Sequence, residues 1–221
     1  MKRYALISDV HSNFVALEAV LRQIDGEGVD TIICAGDIVG YNSQPNQVID
    51  EFRRRAIQCV MGNHDEAVIL PVQERTMNSL AAFAVRWTKR HLTGENTRFL
   101  ESLRQTLTFD GFAVYHGSPF DPYEYIYEDQ VDERLALASS CRFTVLGHTH
   151  VPFVRRLSGA TVINPGSVGQ PRDGDARASY AIVEGDRCDI RRVPYDIESI
   201  VRLNVSEGLP TPLSERLRWG V

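Results

Sequence analysis

Tyr4-Ala5-Leu6-Ile7-Ser8-Asp9-Val10-His11 decides how the rest of this chain is read. An unbroken, mostly apolar run of this length suits a strand buried on both faces. It ends by delivering Asp9 and His11, two residues apart and therefore on one side of an extended segment. Phe14, Leu17, Val20, Leu21 and Ile24 then recur at three- and four-residue spacing, the stripe of an amphipathic helix. Ser12 or Asn13 supplies its N-cap, and Gly26 and Gly28 close it. The unit repeats. Residues 31–35 form a second apolar run, ending in Gly36-Asp37. A helix is expected over 45–54, and a third strand over 57–61 runs into Gly62-Asn63-His64-Asp65. Strand, helix, strand, helix, strand means a parallel sheet with right-handed crossovers. The carboxyl ends of such strands share one edge, where ligands bind. Asp9, His11, Asp37, Asn63 and His64 are therefore expected to meet in space.

Residues 66–104 read as helical. Leu80, Phe83, Ala84 and Trp87 repeat at helical spacing, and Phe99, Leu100 and Leu103 do so again after Gly94, giving two helices with His91 packed against or exposed on the first. From Thr106 the period becomes two. A hairpin of 107–109 and 111–115 about Asp110-Gly111 leads into His116-Gly117-Ser118-Pro119. An aromatic loop with Phe120, Tyr123, Tyr125 and Tyr127 follows, then a helix over 131–138 and a buried strand over 143–146 ending in Gly147-His148-Thr149-His150. Strands over 153–157, 160–164, 180–184 and 188–193 are expected, with a polar loop at 165–175, a short helix at 197–203 and a tail from about 204. No repeat or linker divides the chain, so 1–221 reads as one domain.

The chain has 221 residues, 43% hydrophobic and 24% charged, the composition of a globular protein with a real core. A net charge of -5 argues against a stable nucleic-acid complex, which wants clustered basic charge. A small nucleotide or short strand stays open as a substrate. No apolar run approaches the ~18–20 residues that span a bilayer, so no membrane partner is expected. Cys34, Cys59, Cys141 and Cys188 lack any C-x-x-C spacing and read as free thiols of a reducing compartment. Met1-Lys2-Arg3 passes straight into the first strand, and the expected location is the cytoplasm. Assembly as a homo-oligomer is compatible with all of this.

Five of the six histidines, all but His91, sit at or just past the end of an apolar strand-like run. Imidazole, carboxylate and amide oxygen without thiolate suit Mn2+, Fe or Zn2+. Four histidines, two aspartates and one asparagine exceed the needs of one ion. They suit two divalent ions sharing a carboxylate, ~3.5–4 Å apart.

In kind and order, Asp9-Val10-His11, Gly36-Asp37, Gly62-Asn63-His64-Asp65, His116 and Gly147-His148-Thr149-His150 resemble the motifs of the calcineurin-like metallophosphoesterases. The likeness runs from about Arg3 to Val193. It is nearest to the small single-domain prokaryotic phosphoesterases, which carry a loop like Asn164-Pro165-Gly166-Ser167. The resemblance implies an α/β fold, a four-layer α/β/β/α sandwich of two mixed sheets flanked by helices. It implies Asp9, His11, Asp37 and His150 as ligands of one metal and Asp37, Asn63, His116 and His148 as ligands of a second, with Asp37 bridging. Two divalent ions per chain are expected, Mn2+ first, with Fe, Zn2+ and Ni2+ as alternatives. A water held between two cations is acidified. It attacks phosphorus in line while the cations take up charge on the phosphoryl oxygens. His64, the imidazole left free beside the ligands, is the expected general acid. Asp65 is expected to orient it by accepting a hydrogen bond from the ring, another carboxylate or a backbone carbonyl being the alternatives.

Protein Ser/Thr phosphatases and the diadenosine-tetraphosphate hydrolases like them carry G-D-x-V-D-R-G. Here the stretch is Gly36-Asp37-Ile38-Val39-Gly40-Tyr41-Asn42, without the acidic-basic pair, and both activities rank lower. The leading expectation is a phosphodiesterase acting on a small phosphodiester or nucleotide. A phosphomonoesterase is the enzyme alternative. A non-catalytic metal-binding scaffold ranks last, because no ligand and no acid histidine is missing. Four residues are candidate substrate contacts: Arg172 for a phosphate, Tyr123 for stacking on a base, and Asn13 and Tyr41 as neighbours of the ligands.

Overall fold

The computed structural model describes residues 2–70 and 77–221. The part of the expected helical segment that falls on 71–76 lies outside the described residues. The opening strands and helices form as read: β1 (Arg3–Ile7), α1 (Phe14–Gly26), β2 (Thr31–Cys34), α2 (Pro45–Arg54) and β3 (Gln58–Cys59). β1 pairs with β2, and β2 with β3, both in parallel. Asn13 caps α1 by accepting from Ala16 N at 3.0 Å. β3 is two residues long rather than five. Met61 N turns away to Arg104 O at 2.8 Å, so the strand leaves the ladder early.

Three helices follow, α3 (Asn63–Ile69), α4 (Ser79–His91) and α5 (Gly94–Glu101). The second half adds β4 (Thr106–Phe109), β5 (Phe112–Tyr115), α6 (Glu133–Ala136), β6 (Phe143–Val145), β7 (Phe153–Leu157), β8 (Ala160–Asn164), β9 (Ala178–Glu184), β10 (Arg187–Val193), α7 (Ile197–Ser206) and α8 (Thr211–Glu215). One mixed sheet has the order β10-β9-β1-β2-β3 and the other β4-β5-β6-β8-β7. The expected two-sheet α/β architecture is present.

Strand alternation explains the layers. Tyr4, Leu6, Ile33 and Val60 face inward and pack with Phe112, Val114, Phe143, Val145 and Ile163 of the other sheet. Ala5, Ile7 and Cys34 face outward, against Leu17, Val20, Leu21 and Ile24 of α1 and Val48, Ile49 and Phe52 of α2. The fourth layer is thin. α6 spans four residues instead of eight: Val131, Leu135 and Ala136 pack on the second sheet, while Leu137 is 60% exposed. The expected C-terminal tail is folded: α7 runs on to Ser206, and Leu213 of α8 packs with Tyr41, Ala81 and Ala84. All four cysteines are free, Cys34 and Cys188 buried. His91 stacks on Trp87 with ring centres 3.9 Å apart.

Candidate metal centre

The two sheets bring their carboxyl edges to one place. Asp9 and His11 leave β1, Asp37 leaves β2, Asn63 and His64 open α3, His116 follows β5, and His148 and His150 follow β6. Each exit is tied to another strand's exit: Asp9 N donates to Gly36 O and His11 N to Asp37 O, both at 3.0 Å. Asn164 Nδ2 donates to Gly147 O at 2.8 Å, and Ser167 Oγ to Asp9 O at 2.7 Å. The loop after β8 thus holds both aspartate and histidine turns. Asp9, His11, Asp37, His148 and His150 all have φ between 47° and 68°. Left-handed backbone costs an L-residue roughly 1–2 kcal/mol, and such outliers cluster where side chains must be aimed.

Hydrogen bonding fixes the histidine tautomers. A backbone carbonyl only accepts, so a ring nitrogen facing one must donate. His11 Nδ1 donates to Val39 O (3.1 Å) and His150 Nδ1 to Gln170 O (2.5 Å). Both Nε2 atoms are therefore lone pairs, and they face each other at 3.1 Å. Asp9 Oδ1 lies 3.7 and 3.3 Å from them and is buried with no hydrogen-bond partner among the described residues. The second group repeats this. His116 Nδ1 donates to Ala35 O (2.8 Å) and His148 Nε2 to Tyr123 O (3.2 Å). That turns the His116 Nε2 and His148 Nδ1 lone pairs toward each other at 3.1 Å, with Asn63 Oδ1 2.9 Å from His116 Nε2. Asp37 Oδ2 stands between the groups, 3.5 Å from His11 Nε2 and 3.5 Å from His116 Nε2.

Acceptors facing acceptors, with no proton to share, repel unless a cation lies between them. The donor set therefore fits divalent metal. Among the described residues, three clusters have ligand atoms within 4.8 Å of one another: Asp9, His11, His150; Asp37, His116, His148; and His11, Asp37, His64. Burial, the largest cause in each case, pushes Asp9 up to about 7 and His148 down to about 2, and holds His11 and His150 well below the usual imidazole range. Neutral imidazoles are the form a metal needs.

Gly62, Asn63, His64 and Asp65 are not a turn. They start α3, with Gly62 as its N-cap. This overturns the expected contact between Asp65 and His64. Asp65 Oδ2 accepts from Gly62 N and Oδ1 from Val39 N, both at 3.0 Å. The carboxylate closes the helix's first turn onto the loop after β2, and both its oxygens are used. His64 Nδ1 is buried and has no hydrogen-bond partner among the described residues. A Cβ at Gly40 would sit 2.5 Å from it, so no side chain fits there to hold the ring. Burial, with Arg172 and His116 nearby, holds His64 down to about 3. His64 N donates to Asp37 Oδ1 at 2.8 Å, so the same turn that presents His64 also aims Asp37. A Cβ at Gly62 would overlap that same oxygen and the Asp37 backbone nitrogen. Gly62→Ala is expected to cost ~10²-fold in turnover by displacing Asp37, with ~1–3 kcal/mol of stability lost to overpacking. Initial rates and a denaturation midpoint measured on the same preparation check both.

The model of the calcineurin-like phosphoesterase superfamily domain matches residues 2–187. The chain belongs to this superfamily. It is similar to an uncharacterized protein of Methanocaldococcus jannaschii, 37% identical over 98% of this chain and 97% of that one. A solved metallophosphoesterase from Sphaerobacter thermophilus superposes with a TM-score of 0.88 at 40% identity, covering 100% of this chain and 99% of that one. Phosphodiesterase YfcE of Escherichia coli is 25% identical over 84% of this chain and 89% of its own length. Membership makes this phosphoesterase a phosphoric ester hydrolase.

Beside the centre of the phosphoesterase lies a cavity of about 570 Å³ lined by Tyr41, Asn63, His64, Met77, Asn78, Ala81, Tyr123, Tyr125 and His148. Of the expected substrate contacts, Tyr41 and Tyr123 line it. Arg172 does not, but its guanidinium reaches Tyr41 Oη at 3.2 Å. Asn13 is a correction: its side chain is fully buried and committed to Ala16 N and to Gly169 O at 3.0 Å. It braces the centre and is not among the residues lining this cavity. Sequence reasoning passed over three neighbours. Tyr125 lies against His148 with ring centres 3.8 Å apart, and only its place in an aromatic loop pointed to it. Gln170, which holds His150, follows the Asn164-Pro165-Gly166-Ser167 loop. Arg216, 5.6 Å from the Tyr41 ring centre, belongs to no motif.

Proposed function

We propose that the protein is a dinuclear metal-dependent phosphodiesterase that hydrolyses a small phosphodiester or nucleotide. The observation carrying this reading is the pair of lone-pair clusters joined by Asp37. Asp9, His11, Asp37 and His150 would hold one ion, and Asp37, Asn63, His116 and His148 the other. Oxygen and imidazole donors without thiolate favour Mn2+, with Fe, Zn2+ or Ni2+ as substitutes. When bound, the ions supply Lewis-acid charge for activating water and for the phosphoryl oxygens.

The chain's own side chains do the rest. His64 is the one imidazole of the edge outside the two proposed ligand sets, and it lines the cavity. At rest it is neutral, and an anionic phosphoryl group beside it favours the imidazolium. From there it gives its proton to the leaving oxygen. Asp65 acts through the backbone, fixing the start of α3 and with it Asn63 and His64. Tyr41, Tyr123 and Tyr125 wall the cavity and suit a flat organic group on the ester. Small size and mixed walls favour a small ester over a polymer. The YfcE relative, named a phosphodiesterase, supports the diester choice. No helix of the described residues is long and apolar enough to cross a membrane, and four free thiols support a cytoplasmic address.

With Mn2+ present, bis(p-nitrophenyl) phosphate is expected to turn over faster than p-nitrophenyl phosphate. Clearly faster monoester turnover would replace the reading with a phosphomonoesterase. Background rates on both, with several divalent metals, would revive the scaffold.

A further inference from the structure

Among the described residues, two arginines beside the centre have no carboxylate within ion-pair distance. Arg172, in the loop after β8, donates to Gln170 Oε1 at 3.0 Å and to Tyr41 Oη at 3.2 Å. Arg216, directly after α8, reaches the same Gln170 oxygen at 3.3 Å. Their guanidinium carbons lie 5.8 and 5.6 Å from the Tyr41 ring centre. Asp9 and Asp37 of the centre feel the charge of Arg172 without forming an ion pair with it, and three acids of the neighbouring segments are paired elsewhere: Asp173 with Arg192, Asp175 with Arg177, and Glu198 with Arg218. Gln170 is fully buried, and its Nε2 has no acceptor among the described residues. Two cations thus share one neutral oxygen, and the amide beside it adds an unused donor. Half-burial, and repulsion from Arg172, pull Arg216 below the usual arginine range. Like charges gathered out of water without a counter-ion are costly, and a bound anion offsets that cost.

Tyr41 links this cluster to the reacting end. Its ring centre is 4.6 Å from that of His11 and 4.5 Å from that of His64. One aromatic ring therefore separates the arginines from the proposed acid and from a metal-ligand candidate.

We propose that Arg172 and Arg216 form a second anion subsite, and that the substrate is a phosphoric ester carrying a second, unreacting phosphoryl group. This rests on the phosphoesterase reading of the adjacent centre. Cations held by the proposed ligand sets would answer the charge of the reacting phosphoryl group, which leaves the arginine pair for another anion. A terminal phosphoryl group carries roughly -1.5 to -2 at neutral pH, matching two guanidinium groups. Its three oxygens can take both planar forks. A lone carboxylate would leave one arginine uncompensated.

Thymidine 5′-(p-nitrophenyl phosphate) and the same ester with a 3′-phosphate share one reacting diester and differ only in the second phosphoryl group. The wild type, loaded with Mn2+, is expected to favour the 3′-phosphorylated ester in kcat/KM by about 10- to 100-fold, the range for charged hydrogen bonds. Arg216→Gln and Arg172→Gln should each bring that ratio toward one. Arg218→Gln, at an exposed arginine paired with Glu198, should keep it. Calorimetry gives a readout free of turnover: thymidine 3′,5′-bisphosphate should bind the wild type more tightly than thymidine 5′-monophosphate, and Arg216→Gln should lose that difference. Arg216→Lys, which keeps the charge, should retain part of it. A wild-type preference near one in both assays overturns the subsite while leaving the phosphodiesterase reading intact. So does a preference that survives both glutamine substitutions, or an equal loss on both esters. Failure of both esters to react, with the calorimetric preference present, would instead sink the phosphodiesterase reading and keep the anion site.

Discussion

Asp37→Asn is expected to empty both halves of the centre and to cut turnover by at least ~10³-fold, since charge stabilisation of this kind supplies several kcal/mol of the barrier reduction. Asp37 Oδ2 is equidistant, at 3.5 Å, from a ring nitrogen of each cluster. An amide there removes the negative charge or presents hydrogens to the cations. The substitution should leave the fold in place. Burial, with Asp65 nearby, pushes the Asp37 carboxyl well above its usual range. An acid whose folded pKa lies above its unfolded value loses folding free energy once pH passes the unfolded value, unless a cation offsets its charge. In chelator, near neutral pH, Asp37→Asn is therefore expected to match or exceed the thermal midpoint of the wild type. With Mn2+ added, the wild type should rise and the variant should not. Elemental analysis beside the melting curves checks this. Full metal content in the variant would remove Asp37 from the bridging role.

His64→Ala is expected to keep the metals and lose ~10²–10⁴-fold in turnover, the range for general acid catalysis. The loss should be smaller on a p-nitrophenyl ester, whose leaving oxygen needs little help, than on an alkyl ester of the same phosphoryl group. His64 lies in one cluster with His11 and Asp37, so metal analysis is the decisive control. A drop in metal content on His64→Ala would make it a ligand. An equal loss on both esters would deny it the proton-transfer role.

Much of this was legible in the chain because it is local. The 4–8 and 31–35 runs are apolar on both faces and could only be buried strands. The residues that end them, Asp9, His11 and Asp37, had to share an edge once the connections were right-handed. His116, His148 and His150 follow the same logic in the second sheet. Less local features were misread. The expected third strand stops at Cys59 because Arg104, 43 positions past Met61 (104 less 61), takes the Met61 N–H away from the ladder. The expected tail folds because Leu213 has Tyr41, Ala81 and Ala84 to pack against, and the helical repeat that contains Ala84 does not say which distant segment covers it. Asp65 was paired with its sequence neighbour, but a carboxylate three residues into a helix faces back to the N-cap. That geometry became visible only once Gly62 was seen as a cap.

What the sequence by itself determined is which donors stand at which strand ends, and their likeness in order to one superfamily, now matched over residues 2–187. Tertiary structure alone decided what those donors can do. The carbonyls of Val39, Ala35, Tyr123 and Gln170 set which nitrogen of each ring carries the proton. Asp9 Oδ1 is left without a partner among the described residues, and Arg216 is brought from the far end of the chain over the ring of Tyr41. The physical reason is one of range. Strand burial and donor type are properties of a few consecutive residues, whereas a side chain's hydrogen-bond partner is set by the packing of segments distant in sequence, and that choice exists only after the sheets have closed on each other.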